Sequence, residues 1–491
     1  MKKIYILILT TILIIPACDD ALDVDPQFTQ DAENFFNVPE DYDRALIGAY
    51  DLLQTSYLNV FIGEIASDNT IAGGESVTDT QGLHEIDNMT HGAVNNELRD
   101  VMRFNYAGIA RCNFLFENRD KIDFEGKDQI YAEASFLRAY YYFQLVKYFG
   151  DVPLIIDQRL GIEGVTSIQR TPASEVYAQI ELDLMAAGDV LPWTQAEKGR
   201  VTKGAALALL GKVYLYQDKF AESAAALDEV INDGPYSLFD DYSGIFRVAN
   251  ENSSETVFDI QYTGDEGGSY GCFVCLEGNA AVGFHGIRQY NGPVYGDGNS
   301  YNLPTQDLYD FFDPTDPRRD ATLLDIDAYI AAQPNSDEID YAVGGGGHTG
   351  YYNDKYLKRL DELGLPDNDL TSPVNYKAIR YADVLLMAAE AHNRKAAPDD
   401  NLAQTYLNEV RTRTSVDMPQ VVATGQALTD AIWRERRLEL SGEGYRFWDL
   451  VRTGRAAAEI DGFIVGKNEL FPIPQVEIDL AGGNWQQNQG Y

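Results

Sequence analysis

Apolar positions recur at helical spacing in separate blocks along the chain. From Ala132 the series Ala132, Phe136, Ala139, Phe143, Val146 steps by four and three, which predicts one apolar stripe on a helix ending at Gly150. Asp41 to Leu53 reads as a helix, residues 56–97 read as loop with little period, and helical pattern resumes near Leu98 and runs past Asn113. Thr171 and Pro172 predict another helix start, a capping hydroxyl followed by proline in the first helical position. By contrast, residues 262–301 carry ten glycines and seven aromatic residues in 40 positions, a composition of turns and exposed backbone. A second loop block, 334–375, contains the run Gly344 to Gly347, which reads as a flexible loop. Long loop blocks inside a helical chain are where a binding surface is expected.

One segment has a more specific spacing. Leu207-x-x-Leu210-Gly211-x-x-Tyr214, followed by Ser223, Leu227, Val230 and Pro235, is similar to the tetratricopeptide helix pair, with Leu207 in place of its first Trp. Gly211 is expected where two helices approach too closely for a side chain. A weaker copy combines Met387, Glu390 and Ala391 with Ala403, Leu407 and Val410. Fewer than three such pairs do not hold together, so degenerate pairs are expected around 105–150 and 172–190.

The amino terminus adds a location. Lys2 and Lys3 precede an apolar run from Ile4 to Ile15 and then Pro16-Ala17-Cys18, the layout of a signal peptide over residues 1–17. The run falls short of the roughly 20 residues of a membrane span, and no later run of that kind occurs. A cysteine directly after such a stretch resembles a bacterial lipobox, in which Cys18 becomes the lipidated terminus; Pro16 is unusual there, and the alternative is plain secretion after a nearby cut. Asp19 and Asp20 resemble the acidic signal that sends lipoproteins of Bacteroidetes to the cell surface. Of the remaining cysteines, Cys112 sits among helical apolar residues and is expected to be buried. Cys272 and Cys275 close a small disulfide loop or stand as free thiols. Zinc would need two more ligands, and no second pair exists.

Charge removes one class of partner. With 38 Lys and Arg against 77 Asp and Glu, the net charge of −39 repels nucleic acid over most of any face. The 45% hydrophobic residues suffice for a large core. Chemistry is hard to find. His84-Glu85 begins like a zinc-protease motif, but residue 88 is Asn where the second His is required. The Gly344 run precedes His348, not a phosphate-binding lysine, and no Gly-x-Ser-x-Gly elbow occurs. Asp313, Asp316 and Asp320 lack the glycine and terminal glutamate of a calcium loop, and Arg318 and Arg319 make a salt-bridged turn the better reading. In Trp433 to Leu440 the charges are spaced for ion pairs within one packed helix. No catalytic residue, metal site or cofactor is expected.

Several segments together resemble the SusD/RagB family of Bacteroidetes surface lipoproteins. They are Ala132-Glu133-Ala134-Ser135-Phe136-Leu137-Arg138-Ala139-Tyr140-Tyr141-Tyr142-Phe143 with Tyr148-Phe149-Gly150-Asp151-Val152-Pro153-Leu154; Arg380-Tyr381-Ala382-Asp383; Glu435-Arg436-Arg437-Leu438-Glu439 with Glu443-Gly444-Tyr445-Arg446-Phe447-Trp448-Asp449-Leu450; and Leu470-Phe471-Pro472-Ile473-Pro474. Matches run in family order over the whole chain. Met102 stands where the family often has Trp, and Gln489 where it often has Pro. The resemblance implies a mainly α fold with four tetratricopeptide-like pairs and a loop-rich ligand-binding part. It also implies a non-enzymatic glycan-binding role beside a SusC-like TonB-dependent transporter, at the outer membrane through a lipid on Cys18. The expected domain is 18–491, with a helical scaffold over about 40–235 and 376–455 and the loop-rich insertion over about 240–375.

Three functions compete: a glycan-binding lipoprotein, a hydrolase acting through carboxylates, and a repeat scaffold that binds only protein. The missing nucleophile counts against the second; the lipobox and the Tyr/Gly loops count against the third. A sugar offers an apolar C–H face and a polar rim, so aromatic rings with a few fixed polar groups suit it. Tyr270, Tyr290, Tyr295 and Tyr301 are the candidate stackers, with Arg288 and Gln289 as donors to hydroxyls. Asp68 and Asn69 match a Ser-Asp-Asn-like element near the family's site, though Asp68 also suits capping of local backbone. Failing residues 262–301, the site is expected in the 56–97 loops near Asp68.

Overall fold

A computed structural model describes residues 35–156, 158–265, 277–363 and 370–491. Cys18 with its leader, Tyr270, Cys272 and Cys275 lie outside the described residues. Helices α1 (Pro39–Asp51), α2 (Tyr57–Ile65), α3 (Gln81–Asp87), α4 (Asn96–Glu117) and α5 (Lys127–Phe149) lead into α6 (Ala173–Val190), α7 (Lys203–Leu215) and α8 (Phe220–Asp233). A loop-rich segment containing the short α9 (Ala280–His285) follows, and then α10 (Tyr381–Arg394), α11 (Asp400–Arg411), α12 (Gly425–Leu440) and α13 (Arg446–Arg452). From α4 to α8 each helix packs on the next, and α8 then packs on α10 as if the segment between them were absent. The chain therefore leaves a helical stack at Asp233 and rejoins it at Tyr381.

Close approach inside the stack is visible at Gly211. A Cβ there would lie 2.5 Å from Leu227 Cγ, and the buried Ser223 donates its hydroxyl to the Gly211 carbonyl at 2.8 Å. That is the contact the sequence spacing implies. Three expectations differ. On α5 every residue from Tyr131 to Val146 is buried, because α1, α4 and α6 all pack against it, so it has no single stripe. Residues 56–97 contain α2 and α3; all nine residues of α2 are buried, which removes the polar face that reveals a surface helix. Pro172 is itself the N-cap of α6, and Thr171 Oγ1 accepts from the Leu154 amide in place of capping the helix.

Besides a short parallel pair between Ile287–Arg288 and Asp297–Gly298, the inserted segment uses short antiparallel strand pairs that clip distant parts together. β1 (Thr70–Gly73) pairs with β3 (Tyr301–Pro304), β2 (Thr256–Ile260) with β6 (Tyr376–Arg380), and β4 (Leu323–Asp325) with β5 (Tyr351–Asn353). Beside the main core, a small second core gathers Ile287, Tyr290, Tyr295, Leu303, Ile326, Tyr352 and Leu357. The Gly344 run is not loose. The Gly345 amide donates to the Glu75 carbonyl at 2.7 Å, and a Cβ at Gly344 would fall 2.0 Å from the Gly74 oxygen. Two backbones touch there, so side chains are excluded.

The charges of α12 find partners on other elements, not along their own helix. Arg318, fully buried, meets Asp316 at 2.7 Å, Glu435 at 2.6 Å and Glu439 at 3.1 Å. Arg380 and Arg413 share Glu255 and Glu439, while Lys355 and Arg380 share Glu443. Around Arg436 a second network joins Asp383, Asp449, Arg452, Glu390 and Lys212. Buried charges are tolerated only when paired in this way, and losing one partner leaves the rest uncompensated. The networks pin the insertion (Arg318, Lys355) to the scaffold (Arg380, Arg413, Glu439). No described helix is long and apolar enough to cross a membrane.

Candidate functional site

Most of the site residues expected from the sequence are engaged in packing. Tyr290 and Tyr295 are 7% and 8% exposed in the second core, with ring centroids 6.3 Å apart, and the Tyr290 hydroxyl donates to the Pro293 carbonyl. Neither offers an open ring face. Arg288 is half-buried and pairs with the exposed Glu75 at 3.1 Å. Gln289 is exposed, at a backbone φ of +49°. Asp68 takes a bidentate pair from Arg446 at 2.7 and 2.8 Å and a further contact from Arg437 at 2.9 Å. Those guanidiniums hold its carboxyl below the usual range against the effect of burial. Asn69 is fully buried, donating to Glu64 and accepting from Arg437. Asp68 and Asn69 thus tie the loop after α2 to α12 and α13.

Tyr301 stands apart, because its ring lines an open cleft of about 480 Å³. The cleft lies between α2, the segment around α3, the start of α4 and the glycine-rich loop, and none of Asp68, Asn69, Arg288, Gln289, Tyr290 and Tyr295 lines it. Its floor is aromatic: Phe284 sits 6.1 Å from Tyr57, 5.8 Å from Phe61 and 6.0 Å from Tyr301 between ring centroids. Tyr57, Phe61 and Tyr301 are buried, whereas Phe284 remains half-buried. β1 and β3 set this geometry by pairing Gly73 with Tyr301. The next residue, Gly74, leaves room for the tyrosine, since a Cβ there would meet the ring at 2.4 Å.

The rim is polar. Asp79 accepts from the Tyr301 hydroxyl at 2.7 Å, which fixes that ring. Asn95 caps α4, its side chain accepting from the Leu98 amide at 3.2 Å, and this places Asn96, Glu97, Arg99 and Asp100 along the edge. Arg99 donates twice to Asp100, at 3.2 and 3.1 Å. Burial, with Asp100 nearby, pushes the Glu97 carboxyl up to about 7. Asn299 Oδ1 is buried and meets no donor among the described residues. An apolar floor with acceptors around it suits a ligand having an apolar face and a hydroxyl rim. Among the described residues no group of His, Cys, Asp or Glu could hold a metal ion.

Phe284, Tyr57, Phe61, Asp79, Glu97, Asp100 and Asn299 are not among the residues expected from the sequence. Phe284 and Asn299 lie in the glycine-rich segment flagged there, and Asp79 and Glu97 in the 56–97 region. The signal that could have joined them is the pair of strand-like stretches Thr70–Gly73 and Tyr301–Pro304, each only four residues long.

Comparison with known proteins agrees with this architecture. A model of the SusD family matches residues 245–491, and one described as starch-binding and associating with the outer membrane matches residues 20–215. A SusD-like protein of Formosa agariphila is 29% identical over all of both chains. A laminarin-binding SusD-like protein superposes with a TM-score of 0.84 at 34% identity, covering 92% of this chain and 99% of its own. Surface glycan-binding protein A from Bacteroides thetaiotaomicron, solved with laminarihexaose, gives 0.81 at 27% identity over 92% of this chain and 99% of its own. On the length of these matches and the shared helical stack, the chain belongs to the SusD family.

Proposed function

We propose that this protein captures oligo- or polysaccharide at the cell surface and passes it, uncleaved, to a SusC-like TonB-dependent transporter. A lipid on Cys18 holds it to the outer membrane. The observation that carries the glycan reading is the cleft: the half-buried Phe284 ring beside Tyr57, Phe61 and Tyr301, with Asp79, Glu97 and Asn299 also lining it. Stacking of a sugar ring on Phe284 contributes on the order of 0.5–1.5 kcal/mol beyond burial. The laminarin-binding relative supports testing β-glucans first. Purified mature protein is titrated with laminarin oligosaccharides by calorimetry, and the products are checked for cleavage. Phe284→Ala is expected to weaken binding several-fold with no sugar released in either protein. An unchanged affinity in Phe284→Ala places the site elsewhere, and released sugar would mean an enzyme. Anchoring is tested by Cys18→Ala, which should free the protein from washed membranes.

A further inference from the structure

Charge around the cleft bears on which glycans can enter. Its lining includes three carboxylates, Asp79, Glu97 and Asp100, and one guanidinium, Arg99. That guanidinium is committed, donating through Nε and a terminal nitrogen to Asp100 Oδ1, with Arg103 3.8 Å from the same oxygen. The positive end of α4 reaches the rim, yet Asn95 already satisfies the Leu98 amide there, and Glu97 sits in the helix's first turn. Facing these groups from the other elements are Tyr57 of α2 and Tyr301 of β3, both neutral phenols, the latter donating to Asp79. A sulfate or uronate brought in would meet carboxylates in a partly desolvated cleft where screening is weak. Hydroxyl groups meet the opposite situation, because carboxylate oxygens, each with two lone pairs, have acceptor capacity beyond the donors already on Asp79 and Asp100.

We propose that this cleft takes uncharged glycan segments, whose hydroxyls donate to Asp79, Glu97 and Asp100, and rejects sulfated or uronate-bearing ones. The proposal rests on the cleft being the glycan site. It is tested at pH 8, where Glu97 is ionised, in affinity gels containing laminarin, mannan or xyloglucan, each run beside a sulfated form of the same backbone. The wild-type protein is expected to bind at least one neutral polysaccharide about tenfold or more tightly than its sulfated form. Glu97→Gln should narrow that ratio several-fold, with its melting temperature confirming a folded protein. Equal or tighter binding of the sulfated form overturns the proposal while leaving the glycan reading intact, and so does a ratio that Glu97→Gln leaves unchanged. Failure to retain any of the polysaccharides overturns the glycan reading itself and the selectivity with it.

Discussion

Tyr295 and Phe284 belong to the same glycine-rich segment, yet the chain uses them in opposite ways. Tyr295 is closed in by Tyr290 and Tyr329, and the Arg359 guanidinium lies 5.5 Å above its ring. Its truncation to alanine removes a packed ring, so Tyr295→Ala should cost about 2–4 kcal/mol in denaturant unfolding and leave affinity in the folded fraction near wild type. Glu97 is a second residue whose position makes a specific demand. Its folded carboxyl titrates at about 7, above the ordinary 4.5. Between those two pH values the folded state binds more protons than the unfolded one, so stability falls as pH rises through the window. Glu97→Gln should therefore be more stable than wild type at pH 8, by on the order of 1–3 kcal/mol, and equal to it below about pH 4.5. Chemical unfolding at the two pH values measures this, and no gain at pH 8 would show that the carboxylate is better solvated than its surroundings imply.

At the scale of elements, α2 and the turn before α13 meet backbone to backbone. A Cβ on Gly63 would lie 2.0 Å from the Gly444 carbonyl oxygen, and Gly444 has a φ of +89°. Backbone, unlike a side-chain tip, cannot swing away, so Gly63→Ala should destabilise by several kcal/mol or separate the two elements. Charge joins elements as well. Arg318→Met leaves buried Asp316 without its ion partner and takes one partner each from Glu435 and Glu439, and should cost about 3–5 kcal/mol. The Arg319→Met control, whose partner Asp320 is exposed, should change stability by less than about 1 kcal/mol. Equal effects in the two variants would remove the network from the account of how insertion and scaffold are joined.

For the whole molecule, two sets of carboxyl groups oppose each other as pH changes. Arg452 beside Glu390, and Arg413 with Arg380 beside Glu439, overcome burial and hold these carboxyls down at about 2. Their stabilisation is complete above about 4.5 and is lost as pH falls toward 2. Burial instead raises Asp87 to about 6 and Glu251 to about 7, as it does Glu97, and these favour the folded state as pH falls from 7 to 4.5. A net charge of −39 adds self-repulsion that also eases on mild acidification. The melting temperature should therefore peak near pH 5 and decline on both sides, and a maximum at pH 8 or above would contradict this balance.

The sequence by itself determined the helical blocks whose polar and apolar faces differ, the Gly211 to Leu227 contact and the membership that its motifs announced. Those signals are local: a period, a cap, a small residue at a fixed offset. It also marked the two regions that line the cleft, residues 56–97 and the glycine-rich segment. It did not join them. The pairing of Thr70–Gly73 with Tyr301–Pro304 spans nearly half the chain and turns on four residues a side, too few for any period to show. Burial was equally hidden: nothing local distinguishes Tyr295, covered by Tyr329 and Arg359, from Phe284, half-buried beside Tyr57 and Phe61. Whether an aromatic ring becomes core or binding surface depends on which distant segments reach it, and only the tertiary structure decides that.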